Sequence, residues 1–249
     1  MTAPGGGLLA GRRAFVTGGA RGLGFAIVEA LAAAGASGVS FDLEPSPAMP
    51  KGWRAETGDV CDETALSGAI AGADALDIVV ANAGIVPPWV RTADIELQDW
   101  RRAFAVNVDG VMLTVKHAAR AMARNGGSII LMASLNGRRA HGRQAAYTAT
   151  KHAVIGLTRA AALDLGRDGI RVNALAPGPI ATEALLGRVA ERAAAGTASA
   201  AETLANYAGQ TAFRRLATAA EVAAACVFLA GDLSAGITGQ VLPVDAGLP

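Results

Sequence analysis

Cysteine, aromatic residues and any excess of charge are all scarce in this chain of 249 residues. The two cysteines, Cys61 and Cys226, fall in no CxxC or metal-ligand spacing. They read as small buried hydrophobes in a reducing compartment, and no disulfide is expected. His117, His141 and His152 form no metal signature, so no metal site is expected either. A net charge of +1 gives no electrostatic reason to bind nucleic acid or an anionic membrane, and an aromatic content of 4% leaves little for base stacking. No uncharged apolar run reaches transmembrane length. Met1 to Gly7 lacks the charged and apolar regions of a signal peptide and reads as part of a flexible leader over residues 1–10. The expectation is a cytoplasmic protein whose partner is a small molecule, not nucleic acid or membrane.

What the chain does have is apolar surface. Hydrophobic residues make up 52% and charged residues 17%, which excludes disorder except at the ends. Short apolar or β-branched runs alternate with Ala/Leu-rich helical stretches. Strands are expected at Arg13–Thr17, Gly38–Asp42, Trp53–Asp59, Leu76–Asn82, Gly127–Ser134, Ile170–Ala176 and Gln240–Asp245. The main helices are expected at Gly22–Ala34, Glu96–Arg124, Ala145–Gly166 and Ala219–Ala230. Repeated β-then-α with apolar strands predicts a single α/β domain over 1–249, a doubly wound Rossmann fold with a mostly parallel seven-stranded sheet covered on both faces. Pro45, Pro47 and Pro50 make the crossover after the second strand short and irregular. The Ala/Gly/Thr-rich stretch over about 179–213 is weakly periodic and reads as a substrate-binding lid.

Thr17-Gly-Gly-Ala-Arg-Gly-Leu-Gly24 lies between the first strand and the first helix. Gly18, Gly22 and Gly24 let the backbone turn and approach a pyrophosphate, with Arg21 and Leu23 in the same loop and the helix N-terminus supplying amides. The spacing is G-x-x-x-G-x-G, not the commoner G-x-G-x-x-G. Asp42 ends the second strand, eighteen residues beyond Gly24. A carboxylate there accepts the adenosine-ribose hydroxyls and repels a 2′-phosphate, which favours NAD over NADP. Arg21 is the opposing feature, since a guanidinium holds a 2′-phosphate well. Asp59 and Val60, and the small Asn82-Ala83-Gly84 stretch, stand at the ends of the next two strands, where they can receive adenine and ribose.

Tyr147 and Lys151 are four residues apart on an expected helix, with Ser134 thirteen residues before Tyr147. Side chains at i and i+4 share a face. A unit charge about 4 Å away, worth roughly 4 kcal/mol at an effective dielectric of ~20, would pull a phenol from ~10 toward ~7. Such a tyrosine exchanges protons with an alcohol or ketone near neutral pH.

Taken in order, Thr17 to Gly24, Asp59, Asn82-Ala-Gly84, Asn107, Ser134, Tyr147/Lys151, Pro177-Gly178 and Thr238-Gly239-Gln240 resemble the short-chain dehydrogenase/reductase family over nearly all the chain. The resemblance implies that Tyr147 is the general acid/base and that Ser134 orients the substrate. It implies that Lys151 bonds the nicotinamide ribose and that Asn107 supports a water-linked proton path to that lysine. It also implies that Pro177, Gly178, Ile180 and Thr182 hold the nicotinamide carboxamide, and that the protein is a homotetramer. Asp245-Ala-Gly247 stands where the family often has two glycines, without expected functional consequence.

The implied activity is hydride transfer between NAD and a small or medium secondary alcohol or its ketone. Two other readings are an NADPH-dependent 3-oxoacyl-thioester reductase and a catalytically silent NAD-binding sensor or assembly module. The pocket is expected to be lined by Val86 to Trp89, Leu135 to Arg143 and Glu183 to Phe213, with Trp89 and the Leu185-Leu186 pair as an apolar wall. Arg138, Arg139, His141 and Arg143 read more readily as a solvated loop face than as an anion site.

Overall fold

The computed structural model describes residues 7–44, 48–194, 196 and 198–248. Among them the strands are β1 (Arg13–Thr17), β2 (Ser37–Asp42), β3 (Trp53–Thr57), β4 (Ile78–Ala81), β5 (Gly127–Met132), β6 (Ile170–Pro177) and β7 (Val241–Val244). The helices are α1 (Gly22–Ala33), α2 (Glu63–Ala71), α3 (Leu97–Phe104), α4 (Gly110–Met122), α5 (Ala145–Leu165), α6 (Glu183–Ala194), α7 (Ala200–Gln210) and α8 (Ala219–Ala230). The seven strands form one sheet in the order β3-β2-β1-β4-β5-β6-β7, with every neighbouring pair parallel. This is the doubly wound Rossmann arrangement that the alternating pattern implies. The chain reverses its direction of travel between β1 and β4, and a crevice opens there along the carboxyl ends of the strands.

Alternation along each strand divides the core in two. Phe15, Val79, Ile129 and Leu131 point to the face covered by α2, α4 and α5. Ala14, Val16, Ile78, Val80 and Ile130 point to the face covered by α1 and α8. A period-2 pattern with both faces apolar is what a fully covered parallel sheet requires. On the edge strand β7, Pro243 is tolerated because one side of an edge strand needs no ladder donor.

The structure departs from the sequence pattern at several places. The single helix expected from Glu96 to Arg124 is broken: Glu96 is only the N-cap of α3, and Ala105–Asp109 form a π-helical turn before α4, which ends at Met122. The wide turn carries the buried Asn107, whose side chain bonds Ile85 in the loop after β4 and Thr150 on α5. Such insertions occur often at functional sites.

The segment expected to be a weakly periodic lid holds two helices. On α6 the positions Leu185, Arg188, Val189 and Arg192 face inward, and α7 opens with a capping box between Ser199 and Glu202. Two arginines on the inward stripe hide its apolar period from the sequence.

Of the leader expected over 1–10, residues 1–6 lie outside the described residues; Leu9 is buried and its amide donates to the Ala34 carbonyl at 2.8 Å. Pro45 and Pro47 also lie outside them, while Pro50 precedes β3 without helix and its carbonyl accepts from Trp53 N. Cys226 is buried as expected, but Cys61 is exposed, in the turn before α2. Its thiol is nonetheless pushed up to about 11, first by partial burial and then by Asp59. Ala246 takes φ +57, a left-handed conformation that a glycine would hold at less cost. No helix among the described residues is long and apolar enough to cross a membrane.

Candidate active site

The residues singled out in the sequence gather along one edge of the sheet because all seven strands end there. The glycine loop leaves β1, Asp42 ends β2, Asp59 follows β3, Asn82 follows β4, Ser134 follows β5 and Pro177 ends β6.

The glycine loop is close-packed. A Cβ on Gly24 would lie 1.9 Å from the Gly18 carbonyl oxygen, and one on Gly18, which has φ +66, would lie 2.8 Å from Ala83 Cα. No other residue fits at either position. Asn82 sews the loop to β4: its Nδ2 donates to the carbonyls of Thr17 at 3.2 Å and Gly18 at 2.8 Å. The Thr17 hydroxyl accepts from the amides of Asn82 and Ala83, both at 3.1 Å. Thr17 is thus a supporting residue that the glycine spacing alone did not single out.

A dinucleotide suits this end of the sheet. The N-cap of α1 is the exposed Arg21, which makes no side-chain cap bond, and the first turn holds no acid. Its amides are therefore open to a pyrophosphate. Asp42 points into the loop, where its Oδ2 accepts from Ala20 N at 3.0 Å. Asp59 is exposed and its Oδ1 accepts from Cys61 N at 2.9 Å, while Val60 beside it is buried. Ile180 is buried and pairs with Ala217 across a single bridge, and Gly178 packs against Asp245. Thr182 stands immediately before α6 with its hydroxyl accepting from Leu185 N at 3.4 Å.

At the other half of the crevice, Tyr147 lies in the first turn of α5, half-buried, and Lys151 lies one turn later, buried. The Lys151 ammonium donates to the Met132 carbonyl at 2.8 Å and sits 5.7 Å from the Tyr147 ring centroid. Ser134 hydrogen-bonds the Tyr147 phenol and accepts from Asn136 N at 3.1 Å. Asn107 clamps the Ile85 peptide: its Oδ1 accepts from Ile85 N at 2.7 Å and its Nδ2 donates to Ile85 O at 2.8 Å. Nδ2 also donates to Thr150 Oγ1 at 3.2 Å. A Cβ on Gly84 would be 3.2 Å from Asn107 Oδ1 and 3.6 Å from Lys151 Nζ, so glycine keeps open the space between those two groups.

The charge state differs from the simple i, i+4 argument. The phenol of Tyr147 stands above its ordinary value: burial raises it, and the Ser134 hydrogen bond and the Arg188 charge only partly lower it. The expected fall toward neutrality is absent: the Lys151 ammonium is bonded to the Met132 carbonyl, and burial outweighs the influences that lower the phenol. Lys151 is itself brought down to about 8 by burial.

The pocket walls also differ in part. Trp89 is half-buried beneath Arg192, whose guanidinium lies 3.6 Å from its ring centroid. Leu185 faces inward, but Leu186 is exposed because helical geometry turns it outward, and Phe213 is exposed in the turn after α7. Leu135 is buried beneath Ser134; Arg138, His141 and Arg143 face solvent, with Arg139 half-buried. A cavity of about 600 Å³ opens beside this loop between Thr92, His141, Arg143, Thr148 and His152. Ser134, Tyr147 and Lys151 are not among its lining residues, so it is a groove beside the candidate site. Arg188 was not singled out in the sequence; its signal is its place one turn before Arg192 on the inward stripe of α6.

Comparison with known proteins accords with this geometry. Residues 18–249 match the sequence model described as enoyl-(acyl carrier protein) reductase. The chain is 37% identical over 257 residues to 3β-hydroxysteroid dehydrogenase 2 of Eggerthella lenta, covering 96% of this chain and 95% of that protein. Carveol dehydrogenase from Mycobacterium avium in complex with NAD superposes with a TM-score of 0.88 at 30% identity, covering 97% of this chain and 98% of the other. A protein assigned as an NAD(P)-dependent gluconate 5-dehydrogenase from Beutenbergia cavernae, with NADP bound at low occupancy, superposes with a TM-score of 0.83 at 31% identity, covering 96% of each chain. The fold and these matches define a nicotinamide-dependent oxidoreductase. The chain belongs to the short-chain dehydrogenase/reductase family, and its reaction interconverts an alcohol and a carbonyl.

Proposed function

We propose that this protein is a cytoplasmic, NAD-preferring dehydrogenase of secondary alcohols, with Tyr147 as the proton-transferring group. The observation that carries the reading is the meeting of Ser134, Tyr147 and Lys151 at the strand ends next to an uncapped α1 N-terminus. The nicotinamide supplies or accepts the hydride.

The rest is the work of the chain. The hydroxyl of Ser134 and the phenol of Tyr147 hold the carbinol or carbonyl oxygen, and Tyr147 takes its proton in oxidation and returns it in reduction. Lys151 bonds the nicotinamide ribose and keeps its positive charge 5.7 Å from the Tyr147 ring centroid. Asn107 fixes the Ile85 peptide and so the floor of the site. Gly18, Arg21, Gly22, Leu23 and Gly24 hold the pyrophosphate. Asp42 holds the adenosine ribose, Asp59 and Val60 the adenine, and Asn82, Ala83 and Gly84 the space beside them. Pro177, Gly178, Ile180 and Thr182 hold the carboxamide.

Support for a secondary alcohol comes from relatives named for a hydroxysteroid and for carveol. Support for NAD comes from Asp42, whose carboxylate is held in the loop. An NADH-absorbance screen over alcohols, polyols and ketones tests the reaction, and the absence of turnover with either nucleotide would remove it. In the same assay, Asp42→Ala lowers the preference for NAD over NADP by about tenfold or more, the scale of one charge-assisted hydrogen bond together with a relieved repulsion. An unchanged ratio would leave Asp42 no part in the choice.

A homotetramer is also proposed. Leu163 on α5 is 85% exposed and Met112 on α4 is 40% exposed, apolar side chains that an interface formed by these two helices would cover. Sedimentation at micromolar concentration is expected to give a tetramer; a monomer alone would refute this.

A further inference from the structure

The inward stripe of α6 carries a charge that no described residue answers. Leu185, Arg188, Val189 and Arg192 follow at i, i+3, i+4 and i+7 and are half-buried or buried, whereas Glu183 and Glu191 on the same helix are exposed. Arg192 is engaged: it stacks on Trp89, and its Nη1 donates to the Tyr207 hydroxyl at 3.3 Å. This holds the stripe against the loop that follows β4. Arg188, one turn earlier, has neither a hydrogen bond nor an ion pair among the described residues. Its charge acts on the phenol of Tyr147, and no carboxylate does.

A half-buried guanidinium without a counter-ion is costly to fold around. It offers a planar fork of donors matched to a carboxylate.

We propose that Arg188 is a specificity-determining residue that receives a carboxylate borne by the secondary alcohol, so that the preferred substrates are hydroxy acids and their oxo acids. This rests on the dehydrogenase reading above and names its substrate class. One guanidinium matches the single charge of a carboxylate. A phosphate dianion would call for a second cation, and Arg192 is already turned onto Trp89. The carboxylate does not react: the carbinol gives its hydride to the nicotinamide and its proton to Tyr147, and the acid group leaves unchanged. Of the arginines between Ser134 and Tyr147, Arg138 and Arg143 face solvent and are not required.

The test compares 3-hydroxybutyrate and 4-hydroxycyclohexanecarboxylate with their methyl esters, in wild type and Arg188→Gln. In wild type the acid is favoured over its ester by about tenfold to a hundredfold in kcat/KM, the scale of a charge-assisted hydrogen-bonded pair. In Arg188→Gln that ratio falls to about one, chiefly through KM, and Arg188→Lys restores part of it. Binding of unreactive cyclohexanecarboxylate to the NADH-loaded protein, followed by NADH fluorescence, weakens about tenfold or more in the variant. Wild type that turns over esters as well as acids, or a ratio unmoved by Arg188→Gln, overturns the assignment of Arg188 alone. Failure of every alcohol, acid or ester, with both nucleotides would instead remove the dehydrogenase reading.

Discussion

Tyr147→Phe lowers kcat for alcohol oxidation by about 10²–10⁴-fold, the usual worth of a positioned general acid/base, while NAD still binds. The ring remains to fill its place in the first turn of α5, and only the phenol oxygen is lost. Ser134 keeps its bond from Asn136 N and so keeps its orientation. The measurement is an initial rate by NADH absorbance beside a titration of NAD by protein fluorescence. Turnover that survives intact would sink the mechanism.

The pH dependence of the wild type follows from the raised phenol. Oxidation needs the phenolate, so its rate climbs with pH toward a value above that of an ordinary phenol, and ketone reduction runs the other way. Ser134→Ala removes a hydrogen bond that lowers the phenol, and therefore displaces the kcat/KM profile further toward alkaline pH.

That displacement could not have been read from the sequence, although the pair itself could. The i, i+4 spacing of Tyr147 and Lys151 put both on one face of α5, and the alternating apolar runs gave the strands and hence the shared edge where the site residues meet. What spacing does not carry is where an ammonium points. The Met132 carbonyl, nineteen residues away, captures Lys151 and leaves the phenol to burial. Asn107 was legible only by resemblance, because no local pattern announces a π-helical turn. Arg188 was missed for a related reason: an arginine on an inward helical stripe lowers the very apolar periodicity by which that stripe is recognised.

Lys151→Met is expected to separate stability from activity, and the two effects have opposite signs. Lys151 is 4% exposed and its folded value is brought down to about 8 by burial. Against an unfolded value near 10.4, that shift amounts to about 3 kcal/mol of cost for keeping Lys151 charged inside the fold at neutral pH. A methionine fills similar space without that cost, and loses the donor to Met132 O, worth about 1 kcal/mol. The variant is therefore more stable than wild type at pH 7 by about 1–2 kcal/mol. The sign with pH is set by the depressed value. Between about 8 and about 10.4 the unfolded chain binds more protons at this position than the folded one, so wild-type stability gains as pH rises and the advantage of the variant shrinks by up to about 3 kcal/mol. Chemical unfolding of both proteins at pH 7 and near pH 10 checks this, with the difference between them cancelling other groups that titrate in the same window. Over the same substitution kcat falls by about 10²–10³-fold, since the donor proposed for the nicotinamide ribose and the positive charge 5.7 Å from the Tyr147 ring centroid are both gone. A variant that is less stable at pH 7, with an unchanged difference at pH 10, would mean that the buried ammonium is held for the fold and not for proton transfer.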